Sequence, residues 1–496
     1  MIEKMMSINK LIKANILLSV FVLSAPSIAN DDFKQWMQQQ SAGVQAEKQE
    51  FQEYKDKRDK EFTAFLKAQW KPVDIVKGEI RDEEPKPVVM PVAPPAPAKP
   101  VVKQPDVKPV VVILPEPVVI KKPTPAPIIS KPKGKQISVD FYGKPVQFFY
   151  DGQLKQGLSR TINKDAVSDY WSKLSRADYE QVTKQLAEQR KSLQLNDWAY
   201  AYLINRLSLK INNNRKNEAA LLSWFLLAKT GYKARIAYND ASVFLLVPSK
   251  QELFEMPYFT FSGKRFYAVR FEGAQQKLGQ VFTYDGEYPG TVNDFDMRVT
   301  PVVASNDYSE RRHLSFAFQG KKYNIEVTYD RGRIKFFDSY PQLNLDMYFG
   351  SSVYKATSTP LQKQLAVHMQ DMSEQQAVNF LLRFVQTSLK YETDDQQFGE
   401  ENYLFPEETL FYPYSDCEDR AILFTWLVKS LLNLDVVGLD YPGHVAAAVG
   451  FNEAVKGDSL NYQGKRYVVT DPTYINANAG MTMPDFKQYK PTVIPY

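Results

Sequence analysis

The sequence predicts an α+β protein in which one fold unit occurs twice in tandem, after a helical N-terminal segment and a proline-rich linker. Two observations indicate the repeat. Residues 137–150 and 314–329 both have the pattern of a strand, a Gly-Lys turn and a second strand, and amphipathic helices and further strands follow each pair in the same order. A third observation sets the boundary: about half of the chain's 31 prolines lie in residues 72–133.

Residues 1–29 are typical of a secretory signal peptide. Their start is basic, residues 16–25 form a short apolar core, and Ser27 and Ala29 supply the small side chains that a signal peptidase reads. The apolar core is too short for a good membrane span. We therefore expect a mature chain without a transmembrane segment, in a bacterial periplasm or secreted.

Two segments of different composition follow. Residues 30–71 are polar and helix-prone, with apolar residues at helical spacing, which predicts an amphipathic helix. In residues 72–133 the prolines disfavour helix and sheet. We expect a disordered, extended linker there, which at about 3.1 Å per residue would span more than about 100 Å.

The single cysteine lies in the stretch with the clearest chemistry. Ser415 and Asp416 are residue types that cap helices, and the apolar run at 422–432 predicts a buried helix. Cys417 should therefore lie in the first turn of that helix. At this position the helix dipole and the free backbone N–H groups favour the thiolate over the thiol.

Two later strands carry the residues that would complete a thiol nucleophile. One strand opens on His444, and another ends on Asp471 before proline stops it. In such a set the cysteine attacks, the histidine takes and returns the proton, and the aspartate orients the imidazole. We predict Cys417, His444 and Asp471 as catalytic residues. We predict no cofactor and no metal, because a second cysteine and a His-x-Glu spacing, which zinc sites use, are both missing from the sequence.

This pattern resembles the transglutaminase-like superfamily over about residues 360–480. The shared features are a Cys-x-Asp-x-Ala helix start, a His-led strand and an Asp-Pro-Thr strand end. The matching residues are Cys417, Asp419, Ala421, His444, Asp471, Pro472 and Thr473. The resemblance implies a papain-like arrangement that acts on amide bonds through a thioester.

The repeat places other residues at the equivalent positions of the first copy. Asn217, Ser242 and Arg270 align there with the cysteine, the histidine and the aspartate, and none of them supplies a thiol or an imidazole. We therefore predict that the first copy is degenerate. The predicted domains are a degenerate transglutaminase-like copy at 134–290, a β-rich connecting part of the second copy at 291–359 and a catalytic transglutaminase-like domain at 360–496.

The second copy also contains an extra loop, at about 392–414, that is rich in acidic and aromatic residues. Because it immediately precedes the cysteine, it could form one wall of a substrate groove. An ordinary surface insertion packed by its own aromatic side chains is an equally good interpretation.

Composition narrows the function. The formal net charge is only +5, and no basic patch interleaved with aromatic residues stands out, so nucleic-acid binding is unsupported. Our leading hypothesis is an exported thiol enzyme that acts on amide bonds of a peptide or protein substrate, with cell-wall peptides as one candidate. We favour hydrolysis over acyl transfer because water needs no second binding site.

The alternative is a non-catalytic envelope scaffold or peptide-binding protein with the same fold. A lone cysteine on an apolar helix is often a buried small side chain and nothing more. Geometry separates the two hypotheses. The enzyme needs the sulfur of Cys417 within reach of one imidazole nitrogen of His444, with Asp471 on the other.

Overall fold

The computed structural model describes residues 29–79, 86–87, 89–94, 110, 112–113, 133–271, 279–299 and 307–496. Helices and two large antiparallel sheets occupy separate stretches of the chain, which confirms the α+β prediction. The predicted signal peptide lies outside the described residues, except for Ala29. No described helix combines the length and the apolar character that crossing a membrane requires.

The chain divides into two compact units, residues 1–61 and residues 62–496. The described part of the first unit is helical, because helix α1 runs from Ala29 to Ala68. Exposed side chains four residues apart pair along this helix, as Gln52 and Asp56 do at 2.8 Å. The helix agrees with the prediction for residues 30–71.

Within the second unit, the last turns of α1 carry apolar side chains into an aromatic cluster. Phe62 and Leu66 are buried, and the ring of Phe62 packs edge-on against Trp171 with centroids 4.7 Å apart. The ring of Tyr284 also packs edge-on against Phe62, with centroids 6.3 Å apart. The amphipathic pattern of this stretch therefore reflects core packing.

The prediction of a disordered linker at 72–133 is wrong for the described residues at its start. Strand β1, Lys71–Val73, pairs with the strand Val281–Thr283 at the edge of a sheet. Val76 then exchanges two backbone hydrogen bonds of 3.1 Å with Tyr258. Proline is compatible with an edge strand, because the N–H that it lacks can face away from the sheet. The extended backbone that proline favours is therefore hydrogen-bonded to a sheet in this segment.

The first half of the second unit starts with a hairpin, continues with helices and ends with a sheet. Its strands are β2 (Lys135–Phe141), β3 (Lys144–Tyr150), β4 (Arg235–Tyr238), β5 (Val243–Pro248), β6 (Tyr258–Phe261), β7 (Lys264–Val269) and β8 (Val281–Thr283). Its helices are α2 (Lys164–Leu174), α3 (Glu180–Ser192), α4 (Asp197–Ile211) and α5 (Lys216–Lys229). The sheet has the order β1-β8-β4-β5-β7-β6.

The second half also starts with a hairpin, continues with helices and ends with a sheet. Its strands are β9 (Glu310–Phe318), β10 (Lys321–Tyr329), β11 (Lys390–Tyr391), β12 (Tyr414–Ser415), β13 (Asp435–Tyr441), β14 (His444–Gly450), β15 (Ser459–Tyr462), β16 (Lys465–Thr470) and β17 (Thr492–Ile494). Its helices are α6 (Arg331–Asp338), α7 (Leu345–Phe349), α8 (Lys355–Val367), α9 (Glu374–Ser388), α10 (Asp394–Gln397), α11 (Pro406–Phe411) and α12 (Cys417–Leu432). The sheet has the order β15-β16-β14-β13-β17.

Residues 291–359, which we predicted to be β-rich, are so only in part. The hairpin of β9 and β10 is present, but α6 and α7 follow it. Asp330 caps α6, because its Oδ1 accepts hydrogen bonds from the backbone N–H groups of Gly332 at 2.8 Å and Arg333 at 3.2 Å. This local cap ends the strand and starts a helix.

The two large sheets share one strand order: β6-β7-β5-β4-β8 in the first half corresponds to β15-β16-β14-β13-β17 in the second. The β6–β7 turn has φ 49° at Ser262 and 78° at Gly263, and the β15–β16 turn has φ 49° at Gln463 and 79° at Gly464. Two consecutive left-handed residues are typical of a type I′ hairpin turn, which sets strand register.

Counting from these turns gives the equivalent positions of the two sheets. The pair Leu245–Val269 in the first sheet corresponds to Ala447–Thr470 in the second. Leu245 and Ala447 also face the helices of their own halves, so the faces agree as well as the register. The same count aligns Ser242 with His444 and Arg270 with Asp471, as the sequence repeat predicted.

A glutamine on a helix holds the first hairpin of each half in a similar way. Gln185 of α3 accepts from the N–H of Phe149 at 2.9 Å and donates to its carbonyl at 2.7 Å. Gln364 of α8 makes the same two bonds to Glu326 of β10, at 2.9 and 2.8 Å. Each side-chain amide therefore bonds both the N–H and the carbonyl of one residue on the outer edge of its hairpin.

Helix α12 lies in the core of the second half. It contacts α9 on one side and strands β13 and β14 on the other. Its side chains Leu423, Leu427 and Leu431 are buried with Ala447 and Val449 of the sheet. Cys417 is the first residue of this helix.

Candidate active site

Cys417 is the first residue of α12, as the sequence predicted. Asp416 precedes the helix in an extended conformation, and its backbone N–H donates to the carboxylate of Asp419 at 3.4 Å. The thiol is fully buried, and Sγ donates a hydrogen bond to Oε2 of Glu418 at 3.0 Å. The side chain that we expected to be nucleophilic is therefore a thiol bound to a carboxylate.

The expectation that Cys417 is a ready thiolate is wrong for this conformation. Burial, together with the negative charges of Glu418 and Asp416, raises the pKa of the thiol well above its ordinary value. A helix N-terminus stabilises an anion by only about 0.3–1 kcal/mol at an exposed site and up to about 2 kcal/mol when it is partly buried. Burial and two adjacent carboxylates outweigh that contribution.

His444 and Asp471 form a buried pair, as predicted. Nε2 of His444 lies 2.8 Å from Oδ2 of Asp471. Strand pairing explains the contact: Ala447 of β14 lies opposite Thr470, the last residue of β16, so Asp471 reaches the face of β14 on which His444 lies. The other oxygen, Oδ1, accepts the backbone N–H groups of Thr473 at 2.9 Å and Tyr474 at 3.1 Å.

This pairing defines which imidazole nitrogen can act as a base. Because a carboxylate only accepts, Nε2 of His444 carries a proton, and Nδ1 of the neutral imidazole then presents a lone pair. Nδ1 is buried and has no hydrogen-bond partner among the described residues. The ring stacks on Phe486, with centroids 4.7 Å apart, which holds its plane.

The thiol and the imidazole are not hydrogen-bonded to each other in the described part of the chain, because Cys417 bonds to Glu418 and His444 to Asp471. The structure therefore brings together two of the three predicted residues directly. The third lies at the start of a helix that packs against β14, the strand that His444 opens.

In the first half, Asn217 contacts the backbone on either side of Ser242. Asn217, on the first turn of α5, donates to the carbonyl of Ala241 at 3.1 Å and accepts from the N–H of Val243 at 3.0 Å. These two groups flank Ser242, the position equivalent to His444. An amide therefore links the helix and the strand where the second half has a thiol and an imidazole.

A cluster of carboxylates lies beside Cys417, and sequence reasoning missed it. Asp394, Glu401, Asp416 and Glu418 each place an oxygen within 4.8 Å of the others. Two of the four come from the loop at 392–414, which therefore contributes to the site and is more than a surface insertion. The available signal was the acidic composition of that loop and of the residues around the cysteine.

The ammonium group of Lys86 lies inside this cluster. Nζ is 2.9 Å from Oδ2 of Asp416 and also contacts carboxyl oxygens of Glu401 and Glu418. Although burial lowers the pKa of Lys86, the charges of Glu418 and Asp416 raise it above its usual value. For Glu418, burial raises the pKa of the carboxyl group, but the charge of Lys86 outweighs burial and lowers that pKa to about 2. Lys86 and Glu418 are therefore an ion pair at neutral pH.

Two other carboxyl groups of the cluster, those of Asp394 and Glu401, hold protons at neutral pH. Burial, together with the charges of Asp419 and Glu418, raises the pKa of Asp394 to about 10. Burial and the charge of Glu418 raise the pKa of Glu401 to about 9. Oxygen ligands of this kind suit a hard cation such as Ca²⁺, and here the cation among them is the lysine ammonium.

A buried polar network links the cysteine helix to the aspartate turn. Arg420 donates from Nη2 to the carbonyl of Leu389 at 2.9 Å and from Nε to Ser415 Oγ at 3.2 Å. Its Nη1 also donates to the carbonyl of Gln386 at 3.3 Å, and Nε2 of Gln386 donates to the carbonyl of Asp471 at 2.9 Å. These bonds fix the relative positions of the two elements.

Of the predicted catalytic residues, His444 and Asp471 are thus paired and Cys417 is hydrogen-bonded to Glu418. The resemblance to the transglutaminase-like superfamily stays a prediction. Comparison of the chain with protein-family models, with curated proteins and with solved structures gave no match.

Proposed function

We propose that this chain is a thiol enzyme of the transglutaminase-like type, which cleaves or transfers amide bonds of a peptide or protein substrate. Cys417 is the nucleophile, His444 the base and Asp471 the group that orients the base. The observation that carries the proposal is the His444–Asp471 pair of 2.8 Å, which leaves Nδ1 buried and unbonded among the described residues. A histidine that served only packing would more commonly have both ring nitrogens satisfied.

The chemistry follows from these roles. The thiol leaves Glu418 and faces Nδ1 of His444, which takes its proton as sulfur attacks the amide carbonyl. The imidazolium returns that proton to the leaving amine, and a thioester of Cys417 remains. Water then attacks the thioester, with His444 again as the base, to release an acid and the thiol. The backbone N–H of Cys417 is the expected donor to the oxyanion.

Hydrolysis is favoured over cross-linking because water needs no second binding site. An amine that reached the thioester would give acyl transfer through the same intermediate. Export to a periplasm or to the medium, inferred from the first 29 residues, makes cell-wall peptides one candidate substrate.

We also propose that the two halves are tandem copies of one fold and that the first is catalytically inactive. Support comes from the shared strand order and from the matching hairpin turns. Asn217, Ser242 and Arg270 cannot supply a nucleophile with an imidazole base. The first copy would then serve to support the second.

A peptide-binding scaffold without chemistry is the second candidate. One observation favours it: the thiol donates to Glu418, and the expected bond to His444 is not formed between these two described residues. The carboxylate next to the thiol also disfavours the thiolate. This candidate predicts that Cys417 is dispensable for binding.

A thiol-reactive peptide amide probe distinguishes the candidates. The full chain is incubated with the probe, and the modified residue is identified by mass spectrometry. For an enzyme, labelling of Cys417 depends on His444 and is lost in His444→Ala while His313→Ala labels as the wild type does. His313 is a suitable control because it lies exposed on β9. Labelling of the wild type and His444→Ala at the same measurable rate would contradict the enzyme proposal.

A further inference from the structure

A short extended segment of the proline-rich region crosses the candidate active site. The segment, called the strap below, comprises the described residues 86–87 and 89–94. At one end its backbone pairs with the chain just after Asp471: the N–H of Ala93 donates to the carbonyl of Ile475 at 2.7 Å, and the N–H of Ile475 donates to the carbonyl of Pro91 at 3.0 Å. The strap thus forms an isolated parallel bridge between Val92 and Ile475, outside the two large sheets.

Its other end enters the carboxylate cluster beside the cysteine. Lys86 pairs there with Asp416 and Glu418, the two residues that flank Cys417, and only 8% of its side chain is exposed. The hydroxyl of Tyr391 donates to the carbonyl of Pro87 at 2.6 Å. The strap therefore extends from both neighbours of the predicted nucleophile to the turn that follows the predicted aspartate.

Between these ends the strap buries little apolar surface. Val89 is 80% exposed and Val92 is 60% exposed. Met90 contributes a contact of 2.8 Å between its sulfur and Nη1 of Arg420, and Ala93 is buried against Tyr474. Backbone hydrogen bonds and one charged side chain in a pocket hold the strap. Peptide ligands are held in this way, whereas core segments are held by buried apolar side chains.

With the strap in this position, the predicted catalytic residues are not open to a substrate. Cys417, His444 and Asp471 are all buried with the strap in place. A substrate could not reach the sulfur in this arrangement, and the thiol is turned to Glu418. The described conformation is therefore a closed one.

We propose that the strap is a built-in peptide ligand that occupies the substrate groove and closes the site, with Lys86 in a pocket that receives a basic side chain. This inference rests on the proposed function for the identity of the groove as a substrate groove. It also defines the class of peptide that the groove accepts: an extended segment with a lysine at the position of Lys86. Activity then requires displacement of the strap.

Lys86→Glu in the full chain is the direct test, because it places a negative charge among carboxylates. Lys77→Glu is the matched control, since Lys77 is an exposed lysine of the same proline-rich region. Cys417 is the only cysteine, so the rate of alkylation by iodoacetamide reports access to it without ambiguity. We expect alkylation at least about tenfold faster in Lys86→Glu than in the wild type, and unchanged in Lys77→Glu. Amide hydrogen exchange at Ile475 should accelerate in the same variant.

A peptide added in trans tests the ligand class. A synthetic peptide of residues 85–95 should slow the alkylation of the Lys86→Glu chain, and the same peptide with glutamate for lysine should not. Slowing by both peptides equally would contradict the pocket for a basic side chain.

Other outcomes overturn the proposal in recognisable ways. Unchanged alkylation and unchanged exchange at Ile475 in a folded Lys86→Glu chain would show that the strap does not close the site. Loss of the folded state in both Lys86→Glu and Lys86→Gln would show that Lys86 is part of the core and not a displaceable ligand. Faster alkylation without any turnover of amide substrates would leave the strap proposal standing and contradict the proposed function alone.

Discussion

Asp471 accepts a 2.8 Å hydrogen bond from Nε2 of His444, and the opposite nitrogen of the same ring, Nδ1, has no partner among the described residues. The carboxylate is itself held by two backbone N–H groups of the turn that follows it. The imidazole is thus oriented on one side and free on the other, which is the arrangement that a general base needs.

Replacing the orienting carboxylate tests this arrangement. In Asp471→Asn the amide can donate to Nε2, which favours the tautomer with the proton on Nδ1 and removes the base. We expect the rate of amide cleavage to fall by roughly 10²- to 10⁴-fold, and less completely than in Cys417→Ala. Steady-state kinetics on both variants measures the difference. A rate equal to that of the wild type would mean that another group orients His444.

His444 should be required for acylation and His368 should not. His368 follows α8, and its ring lies 5.0 Å from that of Tyr323 and 6.3 Å from that of Phe380, between centroids. His444→Ala should therefore abolish probe labelling, and His368→Ala should keep it. Circular dichroism of both variants controls for folding. Loss of labelling in His368→Ala with an intact fold would show that the base is misassigned.

Glu418 accepts the hydrogen bond of the Cys417 thiol and should lower the reactivity of that thiol. The charge of Glu418 raises the pKa of Cys417 in addition to the effect of burial. In Glu418→Gln we expect that pKa to fall and the alkylation rate at pH 8 to rise. The pH profile of alkylation measures both, with Glu400→Gln, an exposed residue of the neighbouring loop, as the control. An unchanged profile would mean that burial alone sets the pKa.

The carboxylate cluster should make stability depend on pH. The pKa of Asp394 is raised to about 10 and that of Glu401 to about 9, each chiefly by burial. A group whose pKa is raised on folding makes its full contribution to stability when the pH is below its pKa in the unfolded chain, about 4. That contribution is lost as the pH rises through its pKa in the folded chain. The free energy of unfolding should therefore decrease between pH 5 and pH 9.

Urea denaturation at pH 5, 7 and 9 measures this dependence. Asp394→Asn removes one of the groups with a raised pKa, and the decrease in that variant should be smaller than in the wild type. Asp395→Asn, an exposed neighbour, should leave the slope unchanged. A wild-type stability that rose from pH 5 to pH 9 would contradict the assigned protonation states.

The first half should matter for stability and not for chemistry. The side chain of Asn217 makes hydrogen bonds to Ala241 and Val243, so Asn217→Ala should destabilise the chain by about 1–2 kcal/mol. The rate constant for amide cleavage by the folded variant should stay within about twofold of the wild type. Thermal denaturation and kinetics measure the two effects. A large loss of activity without a loss of stability would give the first half a direct role.

Local patterns were enough to predict the elements that carry the site. The capping residues before Cys417, the alternation after His444 and the proline after Asp471 each act within a few residues, and the structure has a helix start, a strand start and a strand end there. The Gly-Lys turns that suggested a repeat are present as hairpin turns, with positive φ at Gly143 and Gly320, because turn geometry depends on neighbouring residues alone.

The contacts between distant parts of the chain were not predictable in this way. Lys86 lies 330 residues from Asp416 along the sequence, and nothing in a proline-rich composition indicates that one lysine enters a pocket. The direction of the pKa shift of Cys417 depends on burial and on Glu418, so the helix dipole alone gave the wrong sign. The network from Arg420 through Gln386 to Asp471 likewise exists only in the folded chain.

The central claim is that Cys417 is a nucleophile activated by His444, and acylation in an opened chain tests it most directly. Lys86→Glu and the double variant Lys86→Glu/His444→Ala are treated with an activated peptide amide, and the mass of the Cys417 peptide is measured. Iodoacetamide in parallel samples confirms that the sulfur is accessible in both. We predict an acyl-cysteine in Lys86→Glu and none in the double variant. Alkylation of both by iodoacetamide without acylation of either would show an accessible thiol with no catalytic role.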